Sequence, residues 1–183
     1  MLSWNEEEIG AGCWFWPLTT VPGSGSDGLP IDEKKEDLYN LFSKRGSIVG
    51  LQGATGSGKS MRTPQYLLHV LKRCRKWWSR KHECVCLVQD SVFAARKAVT
   101  SLVDEFNWDR ERIHVRTSVD TKDLFCPGRT EVSVINYGIL WKCLDTGHDW
   151  TKRYGGIILD EFADLTPQRE LTVRMIFDTK ANG

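Results

Sequence analysis

Apolar and polar positions follow two rhythms along this chain. Ile31, Leu38, Leu41 and Phe42 fall at helical spacing, and the pattern predicts a helix that ends at Gly46. SIVGLQ (47–52) is short, apolar and bounded by glycine, as a buried strand is, and a glycine-rich turn then opens a helix expected to run to about Trp78. CVCLVQ, from Cys84, is the next strand. Val92, Ala95, Val99, Leu102, Val103 and Phe106 again recur at helical spacing. RIHVR and EVSVIN read as strands, YGILWKCL as a helix and GIILD as a strand, and a last helix follows Pro167. Strands separated by helices imply right-handed crossovers and a mainly parallel sheet covered on both faces. The expected fold class is therefore α/β, in three layers. No internal repeat is visible. Residues 1–29 stand outside this rhythm: Trp14, Phe15 and Trp16 form an aromatic knot, and VPGSGSDG follows as a flexible stretch. They are expected to be an N-terminal arm and linker before a domain over 30–183.

Composition narrows the function classes. At 183 residues, with 40% hydrophobic and 27% charged positions, the chain has the mix of an ordinary globular domain. Twenty-five Lys and Arg against 24 Asp and Glu leave a net charge of +1, so contact with nucleic acid must come from local patches. No stretch approaches the roughly 20 apolar residues that span a bilayer. The opening MLSWNEEEIG has acids where a secretory signal carries bases, so a soluble, intracellular protein without membrane contact is expected. The six cysteines include no C-x-x-C pair. His82, Cys84 and Cys86 alternate along one strand face, but a zinc site needs further ligands at usable spacing. Reduced thiols are expected.

The chemistry is concentrated at strand ends. Gly53-Ala54-Thr55-Gly56-Ser57-Gly58-Lys59-Ser60 is a full G-x-x-x-x-G-K-S, the Walker A or P-loop pattern, between a strand and a helix. Glycines let the backbone wrap an anion with its N–H groups, and the following helix adds its positive N-terminal end. Lys59 supplies charge to β and γ phosphates, and the Ser60 hydroxyl suits Mg²⁺. The expected nucleotide-binding residues are all eight, from Gly53 to Ser60. Further on, GGIIL delivers Asp160 and Glu161 to the carboxyl end of a strand, where open α/β sheets keep their ligands. Asp160 suits a metal held through water, and Glu161 suits activation of an attacking water. Acid pairs are common, but one that ends a strand roughly 100 positions after a P-loop is specific.

At these residues the chain resembles DEAH-box-like helicases of superfamily 2, from about Leu29 to Met175. LPIDEKKEDLYNLF looks like the family's entry helix. SIVGLQGATGSGKSMRTPQYLL is similar to motif I, VCLVQDSVFAARKAV sits where motif Ia lies, VINYGILWKCL where the T-D-G-x-L-L segment lies, and YGGIILDEFADLTPQREL resembles motif II. Five segments in family order are more specific than any one of them. The resemblance implies the first RecA-like, ATP-binding lobe of an RNA helicase. It also implies ATP and Mg²⁺ as cofactors, Lys59 and Glu161 as catalytic residues, Ser60 and Asp160 as the metal side, and single-stranded RNA as a partner.

Departures from the family pattern cluster on the nucleic-acid side. The family's motif II His falls on Ala163, and its following Glu-Arg on Asp164 and Leu165. Its P-R-R in motif Ia falls on Asp90, Ser91 and Val92, and a base-stacking Arg falls on Ser101. Its T-D falls on Asn136 and Tyr137, where Asn136 retains a donor for a phosphate. By resemblance, a strand, an S-A-T motif and a second RecA-like lobe with arginine fingers would follow DTKANG. Fingers of that kind supply roughly 10³–10⁵ in rate, so this chain alone is expected to bind nucleotide and hydrolyse it slowly or not at all.

LKRCRKWWSRKH (71–82) mixes Lys72, Arg73, Arg75, Lys76, Arg80 and Lys81 with Trp77 and Trp78. Such a cluster can bind single strands, and equally can serve as a solvated helix end whose cations offset the dipole. His114 reads as a strand residue rather than a catalyst. Two further functions stay open: a nucleotide-binding interaction module without turnover, and a P-loop kinase of small molecules, against which the Asp-Glu pair and the motif order argue.

Overall fold

The computed structural model of the protein describes residues 18–20, 30–43, 49–52, 54, 56–73, 84–117, 130–147, 150, 153–161 and 166–181. The chain divides into two compact units, 1–59 and 60–183. Among the described residues no helix is long and apolar enough to cross a membrane.

In the first unit, β1 (Leu18–Thr20) pairs in parallel with β2 (Gly50–Gln52), Leu18 opposite Gly50. A strand thus lies inside the segment that composition marks as an arm; the rest of that arm, with the Trp14–Trp16 knot, lies outside the described residues. The predicted first helix begins as a 3-10 turn, Pro30–Lys34, and becomes α1 (Lys35–Phe42). It ends at Phe42 with Ser43 as its C-cap, whose hydroxyl donates to the Tyr39 carbonyl at 2.7 Å; Gly46, the expected end, lies outside the described residues. Ile31 and Leu38 are fully buried.

The second unit carries the layered core. It contains α2 (Lys59–Arg73, which starts at the unit boundary), β3 (Val85–Gln89), α3 (Val92–Asp104) and β4 (Ile113–Arg116). After these come β5 (Val132–Asn136), α4 (Tyr137–Asp145), β6 (Gly156–Leu159) and α5 (Pro167–Ala181). The four strands form one sheet in the order β4-β5-β3-β6, and every pairing is parallel. The register sets Val85 opposite Val132 and Gly156, and Gln89 opposite Asn136.

Alternation along the strands assigns the helices to faces. Leu87, Val132 and Val134 pack with Ala95, Val99 and Leu102 of α3, and Val85 packs with Leu68 and Leu71 of α2. The intervening Cys86 and Val88, with Ile135, pack against Ile139, Leu140 and Leu144 of α4 and against Met175 and Ile176 of α5. Helices α2 and α3 therefore cover one face, and α4 and α5 the other. All five residues of β3 are buried, as a central strand in a two-sided parallel sheet requires. The fold is α/β, a RecA-like three-layer domain with a parallel sheet.

Two close fits position the edges. Gly156 lies under α2: a Cβ built there would sit 2.5 Å from Leu67 Cδ2. At the amino-terminal edge of the sheet, Glu131 accepts from Lys72 at 2.5 Å and from Arg112 at 2.8 Å. Lys72 belongs to the basic cluster at the end of α2; the part of that cluster from Arg75 to Lys81, with both tryptophans, lies outside the described residues, as does His82. Cys84 and Cys86 are buried thiols on β3.

Candidate functional site

The glycine loop runs from β2 to the first turn of α2. Gly53 and Thr55 lie outside the described residues; the remainder of the loop is defined. The Ser57 N–H donates to the Ala54 carbonyl at 3.3 Å, which folds the loop on itself. Gly56 and Gly58 have φ of +80° and +86°. These are left-handed values that side chains with a Cβ rarely adopt. Around Gly56 there is open space, so conformation rather than crowding demands glycine there. Lys59 Nζ reaches back to donate to the Ala54 carbonyl at 2.7 Å and to Ser57 Oγ at 3.0 Å. Ser57 is 2% exposed, and its carbonyl accepts the Ile31 N–H at 3.1 Å, so the loop is braced from behind.

Helix α2 has no acidic residue in its first turn to offset its positive end. Ser60 stands half-buried in that turn. Pro64, fully buried, has no N–H to give the Ser60 carbonyl, so the helix loses one internal bond next to the loop. A lysine ammonium folded back over a loop of left-handed glycines offers charge to an anion such as a polyphosphate.

The second group stands at the carboxyl edge of the four-stranded sheet. The β3–β6 ladder continues one step beyond β6, with the Asp160 N–H donating to the Val88 carbonyl at 3.0 Å. That step brings Asp160 beside Gln89, whose Nε2 donates to Asp160 Oδ2 at 2.9 Å. Asp160 Oδ1 accepts the N–H of Glu161 at 3.1 Å. Glu161 itself is exposed and has φ of +53°. Both oxygens of Asp160 are thereby oriented while each retains a lone pair, which suits contact with a metal through water. Among the described residues there is no cluster of three or more His, Cys, Asp or Glu side chains that would cage a metal.

Three further residues complete this edge. Tyr137, at the start of α4, donates its hydroxyl to the Asp160 carbonyl at 3.2 Å. Burial, and then the negative Asp160 and Glu161, push its phenol well above the ordinary range. Arg169 of α5 forms an ion pair with Asp90, donates to the Glu161 carbonyl at 3.3 Å, and stacks its guanidinium 5.0 Å from the Tyr137 ring centroid. Asn136 caps α4: its Oδ1 accepts the Ile139 N–H at 3.0 Å. The side chain that sequence reading offers to a phosphate thus has its oxygen committed to a helix end, with the amide nitrogen on the other side.

The sequence points to Asp160, Glu161 and Asn136 and gives no role to Gln89, Tyr137 or Arg169. Only the register, which sets Gln89 opposite Asn136 and one step from Asp160, reveals Gln89. Arg169 lies within the segment that resembles motif II, but the sequence gives it no role. Ala163, Asp164 and Leu165 lie outside the described residues. His114 is on β4 with Nδ1 buried and without a hydrogen-bond partner, as a strand residue rather than part of this edge.

The fold defines the class of protein: a RecA-like α/β domain. Two curated proteins are similar to this chain. Over 59 residues, 31% of this chain, it is 42% identical to "ATP-dependent RNA helicase TDRD9" of Homo sapiens. Over 133 residues, 73% of this chain, it is 28% identical to "Probable ATP-dependent RNA helicase spindle-E" of Anopheles gambiae. The matches span 4% and 8% of those proteins. No family model matches the chain. The chain is distantly similar to ATP-dependent RNA helicases.

Proposed function

We propose that the chain is the first, ATP-binding lobe of a DEAH-like RNA helicase or nucleic-acid-dependent NTPase. In this proposal residues 30–183 are the RecA-like domain and 1–29 an arm. The observation that carries the reading is Lys59, folded over left-handed Gly56 and Gly58 at the mouth of α2. A triphosphate takes the place of the Ala54 carbonyl and Ser57 hydroxyl as the partner of Lys59 Nζ. Backbone N–H groups of 53–60 hold its oxygens. Mg²⁺ would neutralise charge on the phosphates. Ser60 would offer its hydroxyl to that ion, and Asp160 would hold it through water. Glu161 accepts a proton from the attacking water, and the products are ADP and phosphate. In this class of enzyme a second lobe supplies cationic fingers worth roughly 10³–10⁵ in rate, so turnover is assigned to a larger assembly that also holds single-stranded RNA.

The test is a titration of the chain with a fluorescent ATP analogue, with and without Mg²⁺. Binding should depend on Mg²⁺ and weaken more than about tenfold in Lys59→Ala, the loss of one charge-assisted phosphate contact. Equal binding by the two proteins sinks the reading.

One observation favours a second reading, a nucleotide-binding interaction module without turnover. Asp90 places a carboxylate at the sheet edge where the resembling family has a neutral proline beside two arginines, and Arg169, the cation beside it, is tied to that carboxylate. RNA-stimulated hydrolysis by the native protein excludes this reading.

A further inference from the structure

We propose that Arg169 is a positioning residue for Glu161, holding from α5 the backbone turn that aims the Glu161 carboxylate; its catalytic meaning rests on the reading of Glu161 as the base.

Glu161 is one of only two non-glycine residues with positive φ among those described, the other being Asn107. L side chains avoid that conformation, and it persists only where surrounding contacts over-determine it. Two contacts do so here. On the N–H side, Asp160 Oδ1 accepts at 3.1 Å. On the carbonyl side, Arg169 Nη1 donates at 3.3 Å. One residue is thus gripped at both ends of its backbone, and the second grip comes from an element eight positions further on.

Arg169 is built to hold still. Its side chain is only 10% exposed, its guanidinium stacks over Tyr137, and its Nη2 is paired with Asp90. The turn in which it sits is fixed as well: Thr166 Oγ1 accepts the Arg169 N–H at 3.4 Å and the Thr166 carbonyl accepts the Glu170 N–H at 3.0 Å. Pro167 stands at the first helical position, where its fixed φ suits a helix start. The guanidinium is a rigid planar fork. One prong takes the carboxylate at the end of β3, and the other takes the carbonyl at the end of β6. A lysine ammonium has a single point of charge and cannot reproduce both directions. Arg169 therefore couples the position of Asp90 to the orientation of Glu161.

A merely structural ion pair makes a different prediction, and the comparison is direct. The 183-residue chain is studied as wild type, Arg169→Gln, Arg169→Lys and the reversed pair Asp90→Arg/Arg169→Asp. Amide hydrogen exchange at Glu161 is followed by NMR beside the melting temperature. Single-turnover hydrolysis of ATP with Mg²⁺, protein in excess, is measured against Glu161→Gln. In Arg169→Gln, exchange at Glu161 should quicken tenfold or more. The part of the hydrolysis rate that Glu161→Gln removes should fall about tenfold or more, while affinity for the nucleotide changes less than twofold. Arg169→Lys keeps the charge opposite Asp90 and serves if the glutamine variant fails to fold; it should quicken exchange at Glu161 as well. The reversed pair should regain the melting temperature and leave Glu161 exchange fast.

Wild-type exchange at Glu161 in both single variants, or its recovery in the reversed pair, overturns the proposal. Where wild type hydrolyses ATP measurably, quickened exchange with an unchanged rate overturns the positioning role, and a Glu161→Gln rate equal to wild type sinks the reading of Glu161 as base instead. In that last case, or where the lone lobe shows no hydrolysis, exchange alone decides whether Arg169 holds the turn.

Discussion

Gln89 and Asp160 meet across neighbouring parallel strands, the amide Nε2 donating to the carboxylate Oδ2 at 2.9 Å. Gln89 is 4% exposed, so water does not compete freely for the bond. The contact fixes one oxygen of the proposed metal-side carboxylate and leaves its charge intact. Gln89→Leu keeps the volume and removes the donor. Loss of a partner that orients a metal-side ligand typically costs 10–100-fold, so the Mg²⁺ concentration for half-maximal nucleotide binding should rise about tenfold or more. A Mg²⁺ titration at fixed fluorescent nucleotide measures it, with circular dichroism to confirm the fold. An unchanged Mg²⁺ requirement removes Gln89 from the site.

Tyr137 ties stability to alkaline pH. Its phenol is held well above the ordinary range, by burial first and by Asp160 and Glu161 after. The folded chain therefore keeps the proton more tightly than the unfolded chain, whose tyrosines ionise near pH 10, about the free value. The stabilisation is complete below about pH 10 and is lost as pH rises above it, because only the unfolded state then gains by ionising. Tyr137→Phe cannot ionise. The drop in melting temperature between pH 8 and pH 11 should be smaller in that variant than in wild type. Equal drops in the two proteins refute the assignment.

Asn136 is a helix cap before it is anything else. Its Oδ1 takes the Ile139 N–H, so Asn136→Ala should cost about 1 kcal/mol, the usual value of a lost cap. Asn136→Asp retains the acceptor and should cost far less. Urea unfolding of the three proteins decides. Equal losses in both variants mean that the cap is not what Asn136 contributes.

Gly156 is required by its neighbour. An alanine there would place a methyl 2.5 Å from Leu67 Cδ2 and 3.3 Å from its Cγ. Gly156→Ala should destabilise by about 1–3 kcal/mol, the range of an overpacked core. In combination with Leu67→Ala its added cost should shrink, because the crowded atoms are gone. Additive losses in urea unfolding contradict this account.

Much of the layered fold is legible in the sequence because both periodicities are strong. β3 is an apolar run from Val85 to Val88, and α3 repeats its apolar positions at Ala95, Val99 and Leu102, so neither is ambiguous. The glycine loop and the acid pair are legible for a different reason: their chemistry tolerates few residue types. What escapes is set by distance along the chain. Gln89 reaches Asp160 across 71 positions and Arg169 meets Asp90 from still further along the chain, and no local pattern encodes either meeting.

The alternation along β3 also has a consequence for tolerance to insertion. Val85 and Leu87 point to the side of α2 and α3, Cys86 and Val88 to the side of α4 and α5, and Gln89 continues the first set. A single residue added or deleted within this strand would exchange the two sets. The aliphatic contacts could be partly repaired, since both sides are apolar. The amide of Gln89 could not, because it would leave Asp160 for the opposite layer. The strand is therefore a parity check on the whole edge: changes in length of two preserve which residue meets the carboxylate's side, and changes of one erase it.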